Sequence, residues 1–181
     1  MKMIIFAHGG DVPGIGAALT KVLFEKNCSI DNFKMITLEG FFSLSMTVLC
    51  EGYEDHLEVE GLLKESVKDF KVMINVYPLN GQNIEEELKQ EWIPYRVSMI
   101  CGDQTPVLCY FMKEMAHLRI NVSNICCHRT GKDTDDNTFQ LLVTVQIPVS
   151  VSFDYLKSSL EEIGRKLNTL IDINPVEGLE D

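Results

Sequence analysis

The chain has 181 residues, 45% of them hydrophobic, and a formal net charge of −11. That length suits one large domain or two small ones with a buried core, and no uncharged apolar run is long enough to span a membrane. The acidic balance argues against direct nucleic-acid binding, which rests on Lys and Arg neutralising phosphates.

The N-terminal run Met1-Lys2-Met3-Ile4-Ile5-Phe6-Ala7 is too short and too weakly basic for a secretion signal and reads as a buried strand. A glycine-rich turn follows, His8-Gly9-Gly10-Asp11-Val12-Pro13-Gly14-Ile15-Gly16. Ile15, Leu19 and Leu23 then recur at helical spacing. Strands are predicted at 29–38 and 41–50, joined by a tight hairpin at Glu39-Gly40. In the second, Phe42, Leu44, Met46 and Val48 alternate as in a half-buried strand. A helix near 55–68 and a strand near 71–77 complete the first set.

The same order then recurs. Residues 10–34 lie over 102–126 at a shift of 92, so that Ile15, Leu19 and Leu23 meet Val107, Phe111 and Met115. Beyond a five-residue insertion near 130–137 the shift becomes 97, and Phe42, Leu44, Met46 and Val48 meet Phe139, Leu141, Val143 and Val145. The second set of elements is predicted near 95–101, 106–118, 121–129, 138–147, 153–166 and 169–175. Thr105-Pro106 starts its first helix, because Thr caps free amides and Pro needs no donor in the first turn.

The chain is therefore a duplication, expected as an α+β protein of two ferredoxin-like βαββαβ modules. Each is a four-stranded antiparallel sheet with two helices on one face. Domain boundaries are expected at 1–78 and 95–181. Residues 79–94 read as a linker whose Ile84, Leu88 and Trp92 form the apolar stripe of a short helix. A sheet with this connectivity leaves its second strand on an edge, so pairing of copies or of chains, and a homo-oligomer, are expected.

Few residues invite a chemical role. The glycine-rich turn could let backbone amides approach an anion at a helix N-terminus. It fails as a dinucleotide fingerprint, because Leu19 stands where the third glycine belongs. Cys126-Cys127-His128 has metal-ligand residue types, but neighbouring strand residues point to opposite faces, so both thiols do not reach one ion. Asp133, Asp135 and Asn137 imitate the start of a calcium loop, yet Thr138 and Thr144 replace its required Gly and Glu. No metal and no cofactor are expected. The six cysteines, Cys28, Cys50, Cys101, Cys109, Cys126 and Cys127, sit in apolar periodic segments and are expected to be reduced residues of a cytoplasmic protein.

Gly-Asp-Val-Pro-Gly-Ile at residues 10–15, between a strand and a helix, with Cys28-Ser29-Ile30 opening the next strand, resembles the ACT domain, a ligand-sensing module of amino-acid metabolism. Two such modules in a short chain resemble the glycine cleavage system transcriptional repressor family. The resemblance implies an amino-acid effector held by the turn after the first strand and the start of the second, often between paired modules. In this sequence it implicates Asp11, Pro13, Gly14, Ile15 and Ser29 in the first copy, and Asp103, Thr105, Val107 and Asn121 in the second. Two positions depart from the family: Thr105-Pro106 replaces Pro-Gly, and Ser29 stands where many binding members carry Asn.

The function expected is thus a cytoplasmic, non-enzymatic regulator that senses an amino acid or related metabolite and acts through a protein partner, with indirect effects on transcription. The competing readings are a ligand-free assembly module and an enzyme with a cleft between the copies.

Overall fold

A computed structural model describes residues 1–53, 55–79, 91–102, 106–130 and 138–176, without the side chains of 106, 129 and 130. The chain divides into two compact units, residues 1–83 and 84–181.

In the first unit the elements are β1 (Lys2–Gly10), α1 (Ile15–Glu25), β2 (Cys28–Leu38), β3 (Phe41–Cys50), α2 (His56–Ser66) and β4 (Val72–Pro78). The second repeats them as β5 (Trp92–Gly102), α3 (Pro106–His117), β6 (Asn121–Thr130), β7 (Thr138–Pro148), α4 (Phe153–Leu167) and β8 (Leu170–Pro175). Sheet order is β2-β3-β1-β4 in the first and β6-β7-β5-β8 in the second, every pairing antiparallel. The expected βαββαβ duplication is the fold, and β2 and β6 lie on edges as their connectivity requires.

Alternation decides which face is buried. Met3, Ile5 and Ala7 of β1 and Phe42, Leu44, Met46 and Val48 of β3 point inward onto Ile15, Leu19 and Leu23 of α1 and Val59 and Leu63 of α2. Val97, Met99, Leu141, Val143 and Val145 do the same against Val107, Phe111, Met115, Leu156 and Leu160. The apolar stripes matched between the copies are thus the two cores.

Local chemistry sets the element ends. Glu39 and Gly40 both take positive φ, 49° and 78°, the two-residue hairpin turn that suits strand twist. Asp55 caps α2, its carboxylate accepting from the Leu57 amide at 2.9 Å. Glu60 of the same helix reaches across to accept from the Val76 amide on edge strand β4, and it also pairs with Lys64. Those two hydrogen bonds, Lys64 foremost, hold its carboxyl below the usual carboxylate range.

Two expectations fail here. Trp92 is not part of a linker helix: it opens β5 and pairs with Pro148 of β7. The strand starts earlier than expected because β7 runs to Pro148 and offers Trp92, Ile93 and Pro94 partners that local spacing cannot reveal. The remaining positions of that helix, 84 and 88, lie outside the described residues. Second, two of the six cysteines are not reduced, since Cys28 and Cys50 form a disulfide. The cause is register. A bulge in β2 between Ile30 and Asn32 slips the hairpin by one residue and sets Cys28 opposite Cys50 rather than Glu51. The same slip occurs in β6 between Val122 and Asn124. There the equivalent residues, Ile120 and Ile147, are both buried apolar side chains.

Glycine substitutions test the packing. A Cβ on Gly164 of α4 would meet the Thr169 carbonyl oxygen at 2.6 Å, whereas one on Gly61 of α2 meets nothing within 4 Å. Gly164→Ala should therefore destabilise the chain by about 1–3 kcal/mol, and Gly61→Ala should stabilise it by about 0.4–1 kcal/mol; denaturant titration reads both. The disulfide closes a loop with a sequence separation of 22. Its reduction, or Cys28→Ser with Cys50→Ser, should cost about 3 kcal/mol in the same measurement.

Candidate functional site

The turn between β1 and α1 is built by the central strand. β1 runs in register with β3 until Gly10 faces Phe41. The next amide, of Asp11, donates to the Gly40 carbonyl at 2.8 Å. The Asp11 carboxylate accepts a hydrogen bond from the Thr37 hydroxyl at 3.3 Å, so the side chain is held from β2 and the backbone from the hairpin. Gly14 then takes φ +105° as the residue that opens α1, a conformation natural to glycine and strained for any side chain. Asp11, Val12, Pro13 and Gly14 are all solvent-exposed.

The start of α1 carries unanswered polarity. The Ala18 amide is bonded to the Gly14 carbonyl at 2.9 Å, leaving the amides of Ile15, Gly16 and Ala17 upstream of it. No side chain caps this end, and its first turn holds no acidic residue. Partial positive charge is therefore exposed beside an anchored carboxylate. Gly10 and Gly16 would each accept a Cβ with nothing within 4 Å, which leaves the backbone open to approach.

The structure does not gather all the expected residues. Asp11, Pro13 and Gly14 are together; Ile15 joins them only through its amide, because its side chain is 1% exposed in the core. Ser29 sits opposite Leu49, whose other partner is Lys2, at the far end of the sheet. Eight residue steps of β1 separate Lys2 from Gly10, roughly 26 Å of strand. The Ser29 hydroxyl is turned to the Leu49 carbonyl. Sequence resemblance grouped these positions, but within one module the strand length keeps them apart. In the second module Val107 is likewise a core side chain, 3% exposed. Asn121 is exposed at the start of β6 and donates to Gln146 at 3.2 Å. Asp103 and Thr105 lie outside the described residues.

Sequence reading also missed two features. Thr37 fixes Asp11, and the hairpin at Glu39-Gly40 together with the inward alternation of Phe42 was enough to bring it alongside. On β6, Cys126 Sγ and His128 Nε2 lie 2.9 Å apart. Their spacing of two, which puts strand residues on one face, was the available signal. Among the described residues no group of three or more His, Cys, Asp or Glu side chains could hold a metal ion. None of the described helices is long and apolar enough to cross a membrane.

Residues 2–77 match the family model of the ACT domain. The first module thus matches the ACT domain from its first strand to its last. The second repeats its fold strand for strand, and the match covers the first copy alone. No curated protein matches the chain. Among solved structures, a protein of unknown function from Galdieria sulphuraria superposes with a TM-score of 0.80 at 14% identity, over 97% of this chain and 98% of that one. A candidate glycine cleavage system transcriptional repressor superposes with a TM-score of 0.72 at 15% identity, over 98% of each. At such identities the likeness is one of fold, and it extends over both ACT-like modules.

The turn's geometry gives a direct test. Gly14→Ala should cost about 1–2 kcal/mol through its left-handed backbone, while Gly10→Ala, with open space around its Cβ, should cost far less. Unfolding midpoints of the two variants in urea decide it, and equal losses would contradict the assigned turn.

Proposed function

We propose that this chain is a non-enzymatic regulatory protein that senses an amino acid or a closely related metabolite at the β1–α1 turn of its ACT domain. The observation that carries the reading is the pairing of opposite polarities at that turn. Bare amides at the start of α1 suit a carboxylate, and the Asp11 carboxylate, anchored by Thr37 and Gly40, suits an ammonium group. An amino acid carries both charges close together. Its side chain would lie over Pro13 and Gly14, where the glycine presents no Cβ.

A net charge of −11 fits action through a protein partner rather than through DNA. Any transcriptional effect of this cytoplasmic regulator is then indirect; the second structural neighbour is named as a transcriptional repressor. Ser29 and Asn121, remote from the turn of their own modules, would contribute by facing the turn of a module in a second chain. Asp103 and Thr105 would form the weaker counterpart in the second copy, where Pro106 replaces Gly14.

A second reading has its own support. The sheet face of the first module that points away from the helices exposes Phe6, Phe41, Leu49, Met73 and Tyr77, apolar surface of the kind that marks an interface. An assembly module without a ligand would need that face and not the turn.

A thermal-shift screen against the twenty amino acids separates the readings. A ligand at a hundred times its dissociation constant stabilises by about 2.7 kcal/mol, a rise of roughly 2–4 °C for a chain of this size. Asp11→Asn should weaken that ligand on the order of ten-fold while leaving the unliganded melting temperature near its starting value. If no amino acid raises the melting temperature, the sensor reading fails. A chain that sediments as an oligomer in that case supports the assembly module.

A further inference from the structure

The regulatory reading makes no use of the second module's open sheet face. β6 is the edge strand there, and its register places Cys126 opposite Leu142 and His128 opposite Gln140. The intervening Cys127 faces Leu141, a core residue, so alternation turns Cys126 and His128 together to the side away from the core. Their Sγ and Nε2 atoms are 2.9 Å apart, close enough for direct transfer of the thiol proton. His128 is exposed and Cys126 is half-buried, so a small molecule reaches the sulfur while the ring stays in place beside it.

The other free thiols lack this arrangement. Cys101 is buried, and desolvation pushes its thiol up. Cys109 and Cys127 are exposed, but among the described residues no imidazole contacts either. A nucleophile with a base in hydrogen-bond reach is the minimum that activates a thiol, and in this chain Cys126 has it.

We propose that Cys126 is a thiol-modification site that takes low-molecular-weight disulfides of the glutathione class, with His128 as its proton acceptor and donor. In the step, Nε2 takes the Sγ proton and the sulfur attacks one sulfur of the incoming disulfide. A new bond forms from Sγ to that sulfur as the old sulfur–sulfur bond breaks. The departing thiolate receives the proton back from His128 and leaves as a free thiol. One disulfide is consumed and one is formed, so no further oxidant enters. The product carries a polar adduct opposite Leu142, on a sheet face that also presents Asn124, Gln140, Thr144 and Gln146.

The test uses the full chain with its Cys28–Cys50 disulfide intact. Incubation with glutathione disulfide at neutral pH, quenched at intervals and mapped by peptide mass spectrometry, should show Cys126 modified before Cys109 and Cys127. His128→Gln should slow modification of Cys126 roughly ten-fold or more and leave Cys109 unchanged, with an unaltered melting temperature confirming the fold. Modification of Cys109 or Cys127 ahead of Cys126 overturns the proposal, as does a His128→Gln rate equal to that of the starting protein. Should that variant fold poorly, the order of modification in the unaltered chain decides alone. None of these outcomes depends on an amino acid binding at the β1–α1 turn, so the two readings fail independently.

Discussion

The antiparallel pairing at the centre of each sheet is the constraint from which the rest follows. β1 and β3 stay in register from Lys2 opposite Leu49 to Gly10 opposite Phe41. Side chains alternate with a period of two, so a slip of one residue would turn Met3, Ile5 and Ala7 out to solvent and bring Ile4 and Phe6 inward. The same pairing delivers Gly10 to the hairpin, which is what lets the Asp11 amide bond to Gly40 and the Asp11 carboxylate meet Thr37. The core and the candidate site are thus two consequences of one register. Neither can be altered by moving β1 without losing the other.

Much of this was written in the sequence at the level of periodicity. The doubled pattern of Ile15, Leu19 and Leu23 with Val107, Phe111 and Met115 revealed the duplication, and those six side chains are buried. Glu39-Gly40 announced the hairpin, although Glu at a positive φ is uncommon and only the flanking alternation made the turn legible. What stayed hidden was non-local. The bulge between Ile30 and Asn32 has no composition cue, and without it the hairpin numbering pairs Cys28 with Glu51 instead of Cys50. Trp92 has helical spacing with Ile84 and Leu88, yet its partner is Pro148, fifty-six positions away and visible only once the sheet is assembled. The candidate site is legible only in part: the resemblance implicates both Asp11 and Ser29, and strand length shows that a single module holds them at opposite ends of its sheet.

The two copies separate what backbone mechanics require from what each surface is free to become. Asn27 and Arg119 are equivalent positions, and both take a left-handed conformation just past a helix, with φ 54° and 55°. The bulge is kept as well, at Asp31 in one copy and Ser123 in the other. These residues differ in size and charge, so their shared geometry belongs to the chain path and not to side-chain chemistry. A bulge sharpens strand twist and breaks the ladder, and here it sits on the edge strand of each sheet. That edge is where unprotected pairing surface is a liability.

Constraint ends at the outer sheet face. Inward positions must fill a core at close packing, and both copies fill them with the same kinds of residue. Outward positions obey no such rule, and the copies diverge there: Phe6, Phe41 and Leu49 line the first module, while Cys126, His128, Gln140 and Gln146 line the second. The cysteine usage follows the same division. In the first copy Cys28 and Cys50 point inward, where register joins them; their counterparts Ile120 and Ile147 hold the same place by apolar contact. In the second copy Cys126 points outward, where Leu142 stands opposite it and the imidazole of His128 lies beside it on the same strand. The face a cysteine occupies therefore determines whether it closes the fold or remains open to chemistry.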